Sequence, residues 1–549
     1  MSGWNRNISA PAMQRLPLIL SACLLLVSCQ KETQVDKATR EGILLMGNSA
    51  DPKSLDLQVV SGVIENNIMR ALFEGLVQLH PTEDLSAPPG AALSVTPDET
   101  FTVWTVRLRP EAKWSDGKPV TAEDFRFSYE RMLTPSFGAK YAEMLYFMEG
   151  AEDFNKGKST DFSTVGIKVT DPHGFVLTLR GPSPFFLEVI KHYTWYPVPK
   201  HQVLKFGKID MVGNPWARSE NVVGNGPYRI KSYRRNDHIE VERNPHYWDA
   251  GNFPLNGIRF LPVSNTFTES RMFRDGQLHV TNTAPPEVVD LMKKADPGSL
   301  RQEPYLGTVL YRYNTKAKPL DDVRVRRALS LAIDRKALCE SVFRGFKPAY
   351  GMTPPMGDYQ PPRGVALDPE TARKLLAEAG FPGGKDFPRL KILIASKETN
   401  AALATAIQAM WREYLGVEVE IQSKEWTAYL VAMQDMDYEI ISGGWIGDYI
   451  DPLTFLEMWS AGNGNNRTGW ESEPFGAKLK ESFQIRDPAA RHRLLREAEE
   501  ILLADSPMTP ISWWGKNYLL HPSVKGWEPL LLDNHPYTHI RLVPPPPKR

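Results

Sequence analysis

Cysteine is nearly absent, with only Cys23, Cys29 and Cys339 in 549 residues. A disulfide-stapled fold is thereby excluded, and stability has to come from packed apolar cores. Excess charge of either sign is lacking too: 65 Lys plus Arg face 65 Asp plus Glu. Nucleic acid is held mainly by neutralising its phosphates, so a chain of zero formal charge offers no overall field for that partner. Catalytic signatures are missing as well. There is no HExxH zinc pattern and no GxSxG nucleophile elbow. Gly157-Lys158-Ser159-Thr160 imitates the end of a phosphate loop, yet Glu152 stands where that loop needs its first glycine, so the segment reads as a surface turn. His535 and His539 are four apart, but Pro536 breaks an intervening helix and no cysteine completes a metal site. No cofactor and no resident metal are expected, and the chain is not read as an enzyme.

What is present is an ordinary soluble composition, 42% apolar and 24% charged, long enough for two to four domains with full cores. Forty-five prolines imply many fixed turns, and fourteen tryptophans supply broad, rigid contact surfaces. At the start, Arg6 and Arg15 precede the apolar run Leu16 to Val27. Such a run is too short for a hydrocarbon core of about 30 Å, so residues 1–28 read as a processed leader. Leu26-Val27-Ser28-Cys29 resembles the bacterial lipoprotein box, which implies lipid on Cys29. Gln30 beside it leans toward the outer membrane in a cell that has two. Loss of Arg6 and Arg15 leaves 63 bases against 65 acids. Cys339 lies in an apolar helical pattern and is expected to be buried and inert.

Residues 30–40 are polar without periodicity and read as a tether. Strands are predicted at 42–46, 100–108, 166–170, 175–179, 257–261, 390–395, 417–422 and 438–442. Alternation around Pro227 to Glu242 adds more strand. Helices are predicted at 64–76, from a cap at Thr121, at 321–339, from the Asp368-Pro369-Glu370 start to Gly380, and at 401–414, 426–433 and 494–503. Strand–helix alternation after residue 300 favours an α/β domain with a partly parallel sheet, and a boundary is expected near Pro304 to Thr308.

Ordered blocks then resemble a known family along nearly the whole mature chain. They include Ser54-Leu55-Asp56, Leu72-Phe73-Glu74-Gly75-Leu76, Lys113-Trp114-Ser115-Asp116-Gly117, Gly224-Asn225-Gly226-Pro227-Tyr228, Arg243-Asn244-Pro245-His246-Tyr247-Trp248 and Asp322-Val323-Arg324-Val325-Arg326. Their order and spacing are similar to those of the bacterial extracellular solute-binding proteins of peptide ABC importers, family 5, and within it to the oligopeptide-binding members. The resemblance implies an α/β, two-lobed fold with a ligand cleft between the lobes and an additional third domain. It implies 29–40 as lipidated tether, 41–78, 200–303 and 511–549 as domain I, 79–199 as the additional domain II, and 304–510 as domain III.

The same resemblance implies a peptide site. Asp448, in Gly443-Gly444-Trp445-Ile446-Gly447-Asp448-Tyr449, would receive the peptide's α-ammonium group. Gly444, Trp445 and Ile446 would offer strand contacts, Tyr141 would lie near the ligand, Trp426 with Trp445 would wall side-chain pockets, and Glu65 would be a neighbouring charge. Relatives often carry arginines at the positions of Met433 and Ser442, answering a ligand carboxylate, and a disulfide at those of Gly307 and Ile446; both pairs are lost here. The expectation is a lipid-anchored receptor in the cell envelope that captures short peptides for a membrane permease. The alternatives are the same scaffold carrying nickel, haem, di- or tripeptides or murein peptide, then a nontransporting chaperone or adhesin, then a hydrolase.

Overall fold

The computed structural model describes residues 32–544. The segment expected as a leader, residues 1–28, and the lipidation candidate Cys29 lie outside them. Three sheets organise the chain. The first has four strands in the order Ile43–Gly47, Gly257–Leu261, His238–Arg243, Tyr228–Arg234, with only the first pair parallel. The second is antiparallel, in the order Ala92–Pro97, Val103–Leu108, Gly174–Thr178, Ile167–Asp171. Its inward face includes Trp104, Val106 and Leu108, alternating with exposed Thr105 and Arg107 as a half-buried strand requires.

The third sheet has six strands in the order Lys347–Pro348, Met508–Leu519, Leu300–Tyr313, Ile440–Ile446, Leu390–Ala395, Val419–Lys424. It is mixed: Leu390–Ala395 runs parallel to both of its neighbours, while the two long strands are antiparallel. Helices Val323–Leu331, Pro369–Glu378 and Glu398–Leu415 pack a separate core on it, with Trp411 donating to the Leu329 carbonyl at 2.8 Å. The long strands Leu300–Tyr313 and Met508–Leu519 run from this core to the first sheet's side, where Leu519 joins Val35, Phe273 and Val289. The expected division at residue 304 falls inside one of these strands. A strand has no reason to stop at a domain border when its partner crosses with it.

Three segments differ from their sequence reading. Residues expected as tether contain a helix, Gln34–Glu41, started by a Thr33/Asp36 capping box and docked through Val35 and Ala38. The helix expected over 64–76 is Val63–Leu72. Beyond it Glu74 turns inward to accept from the Tyr247 hydroxyl and, at 2.9 Å, from Trp248 Nε1. The helix expected over 321–339 breaks after Leu331, and Asp334 caps a new short turn at Arg335–Leu338 by accepting from Ala337 N–H. Cys339 is buried, and burial pushes its thiol up to about 12.

Candidate functional site

The strand Ile440–Ile446 is the structural basis of the site. One edge pairs over its full length with residues 307–313. The other edge meets Leu390–Ala395 only at Ile440 and Ile441. Among the described residues, no backbone group pairs along that edge of Gly443 to Ile446. An open strand edge enclosed between lobes offers its N–H and C=O groups to an extended ligand.

Two cavities flank this edge, one of about 340 Å³ and one of about 840 Å³. Both are lined by Ser61, Tyr141, Trp445 and Asp448. The smaller adds Gly62, Asn66, Arg70, Gly444, Ile446 and Trp514, so it brings the start of helix Val63–Leu72 against the third sheet. The larger adds Glu143, Arg180, Glu457, Met458, Ser460 and Arg467.

Asp448 follows the strand in a turn fixed on several sides. Gly447 N–H donates to the Leu306 carbonyl at 2.9 Å, and a Cβ on Gly447 would come within 2.9 Å of Leu306, which is why a glycine stands there. Asp448 N–H donates to Thr454 Oγ1, and the Tyr449 hydroxyl donates to Glu457 at 2.8 Å. Asp451 accepts both terminal nitrogens of Arg491, at 2.5 and 2.9 Å, and Arg491 lies 4.2 Å over the Phe185 ring. Phe185 also stacks on Tyr449, which ties the turn to the domain carrying the second sheet.

The Asp448 carboxylate itself has no hydrogen-bond donor and no cation among the described residues. Burial, reinforced by the nearby carboxylates of Glu457 and Glu143, pushes it from its ordinary 3.8 up to about 7. The other carboxylates of the smaller cavity differ. Asp84 accepts from Leu531 N–H, Glu188 pairs with Lys191 at 2.6 Å, Asp533 is held by Lys516 and His535, and Glu83 is exposed. An enclosed, unpaired acid beside an open strand edge is suited to a cationic group arriving with an extended backbone.

Of the residues singled out from sequence, Asp448, Trp445, Gly444, Ile446 and Tyr141 come together here. Trp445 is oriented by donating Nε1–H to the Thr454 carbonyl at 2.8 Å. Tyr141 tilts against His192, a histidine kept neutral by burial, which brings it down to about 4. Two residues fall elsewhere. Glu65 turns back to accept from Lys53 N–H at 3.0 Å, and its helix neighbours Asn66 and Asn67 line the cavity instead. Trp426 is 54% exposed and stacks on Tyr429. It lines neither of the two cavities.

Sequence reasoning missed Trp514. Its ring lies across the strand face, where a Cβ on Gly307 would sit 2.3 Å from it and one on Gly444 2.9 Å. Gly307 and Ile446 are direct partners across the ladder, so Trp514 covers the place where the resemblance puts a disulfide in relatives. Met433 is buried against Tyr429 and Tyr438, and the Ser442 carbonyl accepts from the Tyr429 hydroxyl. Among the described residues no group of three His, Cys, Asp or Glu is placed to hold a metal ion.

Lobes that share two crossing strands and close a cleft over an unpaired charge define a binding protein of the two-lobed, solute-capturing class. The sequence profile of the bacterial extracellular solute-binding proteins, family 5 middle region, matches residues 87–467, and the chain belongs to this family. It is 35% identical over 506 residues to the periplasmic oligopeptide-binding protein OppA of Salmonella typhimurium, covering 88% of this chain and 89% of that one. It is 30% identical over 488 residues to the periplasmic murein peptide-binding protein MppA of Escherichia coli, covering 87% and 88%. Its fold is similar to the crystal structure of Haemophilus influenzae OppA in complex with the peptide RPPGFSPFR, with a TM-score of 0.78 and 31% identity over 92% of this chain and 99% of that one.

Proposed function

We propose that this protein captures short peptides as an added strand along Gly443 to Ile446, with the peptide's α-ammonium on Asp448. Successive side chains of a strand point to opposite faces. Alternate ligand side chains would therefore enter the smaller and the larger cavity, leaving recognition to the backbone and the charged end. The observation that carries this reading is the enclosed Asp448 carboxylate, without a partner among the described residues, beyond the end of a strand edge that is unpaired among them. The peptide-binding relatives support it. In this reading the protein is anchored through Cys29 in the cell envelope and delivers its cargo to the permease of an ABC importer, with ATPase subunits elsewhere supplying the energy; membership of the family supports it.

Native mass spectrometry of gently purified protein, followed by release and sequencing of whatever is bound, tests the cargo. Peptides of mixed sequence with free amino ends are expected. A reproducible metal or haem mass with no peptide would overturn the reading, as would cleavage of added peptides during prolonged incubation.

A further inference from the structure

We infer that Arg312 receives the carboxylate end of the bound peptide. The inference rests on the peptide reading above. Arg312 lies on the long strand Leu300–Tyr313, directly opposite Ile441. It is 3% exposed, yet it forms no hydrogen bond and no ion pair with any described residue, and its Nε is fully buried without an acceptor. A buried guanidinium without a counter-charge is costly, and proteins rarely keep one unless a partner arrives.

Arg312 lines neither cavity itself, and its neighbours set it directly behind the wall of the larger one. Alternation places Ile441, Gly443 and Trp445 on the Arg312 side of the sheet. A Cβ on Gly443 would sit 2.8 Å from Arg312 Nη1, so the absent side chain leaves the guanidinium lying over the strand backbone. That point is at the far end of the open edge from Asp448. The guanidinium also lies 5.6 Å over the Trp459 ring, whose neighbours Met458 and Ser460 line the larger cavity. Arg467, on the same cavity wall, donates Nε–H to the Gly464 carbonyl, has no carboxylate partner among the described residues and adds a second positive charge.

Nearby hydroxyls are already committed. Tyr429 donates to the Ser442 carbonyl and Tyr438 to the Arg467 carbonyl. A ligand carboxylate would offer the guanidinium a planar, charge-assisted pair. A strand advances about 3.4 Å per residue, so the three steps from Ile446 back to Gly443 span roughly 10 Å, and with the turn to Asp448 beyond them the two charges bracket a few ligand residues. The arrangement therefore selects short peptides with both ends free.

The test is calorimetry with alanine peptides of three to six residues, each as the free acid and as the C-terminal amide. Wild-type protein should prefer the acid by at least about tenfold at one or more of these lengths. Arg312→Met and Arg312→Gln should bring the ratio close to one while preserving the preference for a free over an acetylated amino end. A merely structural arginine would instead weaken acid and amide alike. Equal wild-type affinity for acid and amide at every length, or an acid preference that survives in either variant, would overturn the assignment while leaving peptide capture standing. Failure of every peptide to bind wild-type protein would overturn the peptide reading and this inference with it.

Discussion

Replacing Asp448 by asparagine should have two effects of opposite sign. In the ligand-free protein the carboxyl is pushed from 3.8 to about 7, chiefly by burial. Because the folded value lies above the unfolded one, the native state keeps this proton over a pH range in which the unfolded chain has lost it. Stability therefore falls as pH rises from about 4 to about 7 and stays level above that. At 1.36 kcal/mol per pH unit the penalty reaches about 4 kcal/mol, an upper figure because the cavity admits some solvent. Asp448→Asn should thus be more stable than wild type at pH 8 and equal to it near pH 4. The same substitution removes the counter-charge for a peptide's amino end, at a cost of about 2–5 kcal/mol, or about 30-fold to several thousand-fold in affinity. The assay is urea denaturation of protein stripped of ligand at both pH values, paired with calorimetry on one free-amine peptide. A variant less stable than wild type at pH 8 would show that the carboxylate is already paired in the free protein, and unchanged affinity would remove Asp448 from the site.

Affinity for free-amine peptides should rise about tenfold per pH unit up to about 7 and fall again above the amino group's own value near 8, whereas acetylated peptides should lack both limbs. Calorimetry across pH 5 to 9 checks this, and a flat profile would contradict it. Gly307→Ala would place a methyl 2.3 Å from the Trp514 ring, so it should cost about 1–3 kcal/mol of stability together with peptide affinity, read by denaturation and titration. Asp56→Ala should be strongly destabilising, by about 3–5 kcal/mol, because it strands Arg131, whose terminal nitrogens lie 2.6 and 3.1 Å from that carboxylate in a fully buried pair. In a chain beginning at Gln30, Cys339 should resist a thiol reagent until the protein is denatured and then react once, as mass spectrometry would show.

Much of the fold was legible in the chain because local chemistry and tertiary outcome agree. The strands at 257–261 and 390–395 have the bounds that their apolar runs between turns predict. The helix after Asp368 begins where the Asp-Pro-Glu start places it, with Asp368 accepting from Thr371 N–H. The helix Gln34–Glu41 was readable as well, since Thr33 and Asp36 spell a capping box, but a polar composition obscured the apolar spacing of Val35 and Ala38. The break after Leu331 was not readable, because the apolar period continues through it to Leu338.

For the site, the chain by itself determined the residue types: Asp448 among glycines and Trp445 beside them. Only the tertiary structure decided which of these side chains share a space. Glu65 and Trp426 left the cavity because Lys53 N–H and the Tyr429 ring claimed them. Trp514 entered it from a strand some 70 residues further along, through a contact that no local pattern encodes. The orphaned charges are tertiary facts too. A carboxylate or a guanidinium in a sequence always has potential partners, and whether it is left without one depends on the geometry of everything packed around it.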